Sequence, residues 1–173
     1  MSLLLSVDSQ ITDFISHIVP HTTVFNTLFS FLSLKGDSIV IWLLLLLIIV
    51  IFNKKMNYKF IFLFFLVFLT TVFINDILLK NIFQRARPIV SSSSCPLNFS
   101  FPSGHTACAF ALAYVFSSFD KKRKCFYYLI SVLIAFSRIY LYCHFISDVV
   151  IGAIIGLIIA KIILSLLKKG LKK

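Results

Sequence analysis

Long apolar runs, separated by short polar stretches, dominate the chain. Residues 38–53, 59–80, 125–142 and 145–167 each form a nearly unbroken apolar segment, near the ~20 residues an α-helix needs to cross a hydrocarbon core. A fifth run, about 104–119, is shorter. It follows directly on the polar hinge Pro102-Ser103-Gly104-His105 and can borrow length from it. Residues 11–34 are less regular. Ile11, Phe14, Ile15, Ile18 and Val19 recur at helical spacing, Pro20 and His21 interrupt them, and Val24, Phe25, Leu28, Phe29, Phe31, Leu32 and Leu34 resume the pattern. This predicts an amphipathic helix in the membrane interface and then a short span, with Pro20 at the joint. The expected fold is an all-α integral membrane protein, a bundle of about six transmembrane helices, the first irregular and partly interfacial. In this reading residues 1–36 are an N-terminal helical segment and 37–173 the membrane-embedded core.

Composition strengthens that picture. The 173 residues are 60% hydrophobic and include twenty phenylalanines, and the mean hydropathy of +1.00 belongs to membrane proteins. A net charge of +11 could suggest a nucleic-acid partner. The cations, however, sit in short clusters between apolar runs, as juxtamembrane charges do, so no nucleic-acid partner is expected. Lys54, Lys55 and Lys59, then Lys121, Lys122, Arg123 and Lys124, then Lys168, Lys169, Lys172 and Lys173 fall on one side if every intervening run spans. The positive-inside rule makes that side cytoplasmic. The loops containing 81–103 and 139–144 then face outward, in a bacterial cell the outer, periplasmic face of the cytoplasmic (inner) membrane.

Smaller features complete the outline. The start, MSLLLSVD, lacks the basic n-region of a signal peptide, so insertion is expected to rely on the mature helices. The GAIIG stretch at 152–156 predicts close helix packing within the chain. The four cysteines show neither CxxC pairing nor zinc spacing. Cys108 and Cys125 read as small membrane-embedded or interfacial residues. Cys95 and Cys143 share the outer face, where a disulfide is conceivable, but free thiols are the default expectation.

Against this background the outer loops carry unusual chemistry. Lys80, Arg85 and Arg87 contravene the positive-inside rule, and cations there call for an anionic partner. The competing reading is that they snorkel toward lipid headgroups. Asp76, one helical turn before Lys80, could hold it in place. Pro102 and Gly104 predict a turn into a helix whose first N–H groups can bind an anion, with the Ser103 hydroxyl and the Gly104 N–H as donors and His105 at the edge to move a proton. Farther on, His144 and Asp148 are spaced to touch along a helix. A carboxylate on one imidazole nitrogen leaves the other free to attack. Arg138, six residues before His144, would lie on the wrong face of a continuous helix, so the chain must turn within IYLYC. Lys80, Arg87 and Arg138 together match the near-double negative charge of a phosphate monoester.

The order Lys80-x6-Arg87-Pro88, Pro102-Ser103-Gly104-His105 and Ser137-Arg138-x5-His144-x3-Asp148 resembles the three-part signature of the type 2 phosphatidic acid phosphatase superfamily, at 80–88, 102–105 and 137–148. The resemblance covers about residues 80–148, and the first ~35 residues carry none of it. It implies His144 as the nucleophile forming a phosphohistidine, Asp148 as its orienting carboxylate, and His105 as the acid and then the base. Lys80, Arg87, Arg138, Ser103 and Gly104 would bind the phosphoryl group. No metal or other cofactor is implied, and the partner is a membrane lipid phosphate or pyrophosphate. Among small bacterial members, the 1-phosphate of lipid A ranks slightly ahead of undecaprenyl pyrophosphate, phosphatidylglycerophosphate and phosphatidic acid. The rival readings are a lipid phosphotransferase with the same intermediate and a non-catalytic lipid-phosphate binding or transport protein.

Overall fold

The computed structural model describes residues 2–33, 39–52, 58–88 and 95–170. Leu34, Lys54, Lys55, Lys172 and Lys173, all used in the sequence reading, lie outside the described residues, as do the side chains of Lys168 and Lys169. Seven helices and no strand occur among the described residues: α1 (Ser2–Ser16), α2 (Thr23–Ser33), α3 (Ile39–Phe52), α4 (Tyr58–Phe83), α5 (Gly104–Phe119), α6 (Lys124–Tyr140) and α7 (Ile146–Gly170). The expected joint at Pro20 lies between α1 and α2. Two helices, Tyr58–Phe83 and Ile146–Leu167, are long and apolar enough to cross a membrane by themselves.

α5 is the axis of the bundle, packed most closely by α7, α6 and α4. Glycine makes the α5–α7 approach possible. A Cβ at Gly152 would come within 2.6 Å of the Ser103 carbonyl oxygen, and one at Gly156 would collide with the Ala107 carbonyl. The small-residue pattern therefore serves packing inside the chain, as expected. At one end Trp42, Phe60, Phe64, Phe116 and Tyr127 form a buried aromatic core. Phe60 also meets Phe119, their ring centroids 4.9 Å apart, which sets the start of α4 beside the end of α5. Lys59 and the Lys121–Lys124 cluster thus share one end. Outward-facing Leu44, Leu47, Phe62, Leu69, Ile154 and Ile158 leave the bundle with an apolar surface.

The opposite end is built from interruptions. α4 passes through a π-helical turn, Phe73–Leu79, before its last turn at Lys80–Phe83. Such turns reorient side chains and are frequent at functional sites. Gln84, at φ 46°, ends α4 in the left-handed conformation. Beyond α6, Tyr142 also takes positive φ, at 54°. The N–H groups of Cys143 and His144 fold back to the Arg138 carbonyl at 3.0 and 3.2 Å. The turn that the Arg138–His144 spacing demands is therefore present.

Candidate active site

The interrupted end gathers all three motifs. The π turn sets Asp76 against Lys80 as an ion pair, and Lys80 is only 4% exposed. Asp76 also lies under the start of α5: a Cβ on Gly104 would stand 2.5 Å from both of its carboxylate oxygens, so any larger residue there would displace the carboxylate that pairs with Lys80. Asn75, from the same turn, donates to the Pro102 carbonyl at 3.2 Å. The π turn and the Pro102–Gly104 hinge are thus fitted to each other.

His144, Arg138 and Asp148 are fully buried. Arg87 Nη1 lies 3.1 Å from His144 Nε2 and donates to the Cys143 carbonyl at 2.6 Å. A guanidinium cannot accept, so Nε2 is the acceptor and the imidazole proton belongs on Nδ1. Nδ1 faces Asp148 Oδ2 at 3.5 Å and the Ser100 hydroxyl at 3.5 Å. The expected His144–Asp148 contact is therefore present but longer than a direct hydrogen bond. Its geometry also differs from the expectation: α7 begins at Ile146, so His144 precedes the helix rather than riding on it. Burial, followed by the charges of Arg138, Arg87 and Lys80, holds His144 well below the usual imidazole range, so it is neutral near pH 7.

Asp148 is shared among several donors. The Ser100 hydroxyl bonds Oδ2, the Phe145 N–H donates to it at 3.0 Å, and Arg85 Nη1 donates to Oδ1 at 2.7 Å. His105 lies in the first turn of α5, in a region it shares with His144 and the cations Arg138, Lys80 and Arg87. Its Nε2 is buried without a partner, as are Nε and Nη2 of Arg138. Buried polar atoms are normally paired, so these three unpaired nitrogens on signature residues mark the place where a hydrogen-bonding partner would be most favourable. The three expected cations, Lys80, Arg87 and Arg138, stand close enough to repel one another, which a phosphate would relieve.

Ser103 joins two elements at the site. It caps α5 in extended conformation, its N–H donates to the Asp148 carbonyl at 3.0 Å, and its hydroxyl lies 3.0 Å from the Thr106 hydroxyl. It ties α5 to α7 and turns its hydroxyl to a protein neighbour.

Several residues at the site are not legible from the motifs. Arg85, for which an anionic partner competed with headgroup snorkelling, is held half-buried between Asp8 and Asp148. The Arg138 guanidinium bonds the Ser33 hydroxyl of α2. Asn98 holds Arg87 through its side-chain oxygen at 2.7 Å and its carbonyl at 2.8 Å. Cys95 and Cys143, expected as free thiols, are joined by a disulfide with Cα atoms 5.3 Å apart, because the turn after Arg138 brings Cys143 beneath the loop that carries Cys95. A cleft of about 620 Å³ opens beside Arg87, lined among others by Ser9, Thr12, Tyr142 and Phe145. The only signal for most of these partners was the presence of cations on the wrong side of the membrane.

The described helical bundle thus joins a buried His–Asp pair, a second histidine and three clustered cations, one of them paired with Asp76. The sequence profile of the PAP2 superfamily matches residues 59–171, and the chain belongs to that superfamily. Phosphatidylglycerophosphatase B of Bacillus subtilis (strain 168) is 38% identical over 101 residues, 52% of this chain and 49% of that protein. The match thus spans about half the length of the curated relative. Two solved structures are similar over most of the chain. The crystal structure of the first transmembrane PAP2 type phosphatidylglycerolphosphate phosphatase, from Bacillus subtilis, aligns with a TM-score of 0.77 and 27% identity, over 98% of this chain and 88% of that one. Aquifex aeolicus LpxE aligns with a TM-score of 0.68 and 31% identity, over 90% of this chain and 93% of that one.

Proposed function

We propose that the protein is an integral membrane lipid phosphatase working through a phosphohistidine, with its site at the outer face of the cytoplasmic membrane. The observation that carries this reading is the convergence at one end of the bundle of His144, of Arg87 at 3.1 Å from its Nε2, and of the buried, unpaired nitrogens of His105 and Arg138. His144 Nε2 attacks phosphorus, the bond from phosphorus to the lipid oxygen breaks, and His105, held as an imidazolium by the bound anionic phosphate, gives that oxygen its proton and becomes neutral. His105 then takes a proton from water, the water oxygen attacks phosphorus, and the P–N bond breaks to release phosphate and restore His144. Asp148 keeps the Nδ1 proton in place and stabilises the positive charge that develops on the ring. Lys80, Arg87 and Arg138 neutralise the equatorial oxygens, with the N–H groups at Gly104 assisting, so the scheme assigns no step to a metal.

Six crossings fit the proposal, with α1 at the interface and α2 as the short first span. The lipid tail then approaches between helices from the membrane. Phosphatidylglycerophosphate moves ahead of the 1-phosphate of lipid A, since the curated relative and the more similar solved structure, both from Bacillus subtilis, carry that activity in their names. Undecaprenyl pyrophosphate and phosphatidic acid follow. The test is phosphate release by the purified protein from a detergent panel of these four lipids, with EDTA present throughout. Turnover of at least one lipid far above water-soluble phosphate esters is expected. Turnover of none, or a strict magnesium requirement, overturns the reading.

A further inference from the structure

The signature motifs leave out the N-terminal helix, yet α1 reaches the catalytic carboxylate. Arg85 spans two acids: Nη2 donates to Asp8 Oδ2 at 2.6 Å and Nη1 to Asp148 Oδ1 at 2.7 Å. The side chains of Arg85, Asp8 and Asp148 are 17%, 12% and 0% exposed, so the whole chain of charges is shielded from water. α1 also supplies what the start of α7 lacks. The first N–H groups of a helix have no partner within it. Here the Ile146 N–H donates to the Thr12 hydroxyl at 2.9 Å, the Ser147 N–H donates to Asp8 Oδ1 at 3.1 Å, and the Ser147 hydroxyl bonds Asp8 Oδ2. The Asp8 carboxylate therefore caps α7 from another helix, at the positive end of its dipole. Arg85 Nη1 also donates to the Ser147 hydroxyl at 2.7 Å, and its guanidinium lies 4.1 Å over the Phe145 ring.

We propose that Asp8 is a positioning residue for catalysis. Through Arg85 and the first turn of α7 it fixes the aim of Asp148, and so of His144, which stands two residues before that turn. This rests on the phosphohistidine reading above. Asp8 does not line the cleft beside Arg87; Ser9 and Thr12 of α1 do, and Arg85 borders it while its guanidinium is held by Asp8 and Asp148. Its loss should therefore act on the chemical step and spare substrate binding.

The test compares the full-length protein with Asp8→Ala, Asp8→Asn and Asp8→Glu, using phosphatidic acid and phosphatidylglycerophosphate in detergent. Two measurements run on the same samples: steady-state kinetics per folded molecule, and backbone hydrogen exchange of peptides covering 144–150 and 107–116. For Asp8→Ala, a kcat loss of about ten- to a hundredfold is expected, the scale of a misaligned reacting group, with KM within threefold of the parent. Exchange should rise at 144–150 alone. Asp8→Glu should recover part of kcat, and Asp8→Asn, which keeps an acceptor but not the charge on Arg85, should recover less. Wild-type kcat in Asp8→Ala, or a loss that only follows the folded fraction, overturns the proposal. If the parent turns over neither lipid, the phosphatase reading is what fails for these substrates. The exchange at 144–150 then still decides on Asp8, because an unchanged rate overturns its hold on that turn.

Discussion

The two ends of the bundle are rich in the same residue types and use them in opposite ways. Around Lys121–Lys124 every cation is exposed, and Arg123 pairs locally with Asp120 at 2.8 Å. At the other end Arg138 is 0% and Lys80 4% exposed. A solvated surface charge changes stability by ~1 kcal/mol or less, so the first cluster can orient the chain in the membrane with little consequence for folding. A buried charge costs several kcal/mol unless paired. The second cluster persists because Asp76, Asp8, Asp148, Asn98 and Ser33 hold it, and the proposed phosphate would complete it. Position relative to water, rather than residue type, separates an orientation signal from a site.

The sharpest way to break this contrast is to remove the group the buried end serves. His144→Ala should lower phosphate release by at least about a thousandfold, while circular dichroism and detergent-extracted yield stay near those of the parent. Since burial and neighbouring cations hold the His144 pKa below its ordinary 6.5, the neutral nucleophile persists through that pH and is lost only as pH falls further. The rate should therefore hold on acidification past 6.5 and decline below it, and an inflection above 7 in kcat/KM would contradict the assignment.

Next in size is Arg138→Lys, which keeps the charge but not the planar fork. A loss of about a hundredfold in kcat/KM is expected, and near-parental activity would show that the unpaired guanidinium nitrogens do not meet substrate. Cys95→Ser tests the tether between the loop and the nucleophile's neighbour. Its closed segment of 48 residues corresponds to a stability loss of about 2–4 kcal/mol, read as a lower melting temperature. Turnover should fall several-fold as Asn98 and Ser100 loosen around Arg87 and Asp148. Smallest is the double change Lys121→Ala with Lys122→Ala at the exposed end. Turnover per molecule should stay within twofold, and any effect should surface in reporter fusions of membrane orientation.

Much of the site was legible from spacing alone. Six residues from Arg138 to His144 forced a turn, which Tyr142 makes with positive φ. Lys80 and Asp76 were one helical turn apart and do pair, although through a π turn that hydrophobic patterning does not reveal. The helical runs and the hinge at Pro102–Gly104 also followed from pattern. The partners of Ser103 and Arg85 and the Cys95–Cys143 bridge did not follow. Each depends on which of several polar partners tertiary packing supplies, and a donor in a sequence does not name its acceptor.

The sequence by itself determined the membrane class, the helical runs, and the identity and order of the residues that converge on one end. Local spacing and the hydrophobic period carry that information, because backbone satisfaction in an apolar medium leaves the chain few options. Only the tertiary structure decided that Asp8 and Ser33 reach the site across more than 75 residues of chain. It also decided that Asp148 answers to Arg85 and Ser100 as much as to His144. Those contacts arise where helix ends meet, and the angles at which whole helices pack leave no trace in local periodicity.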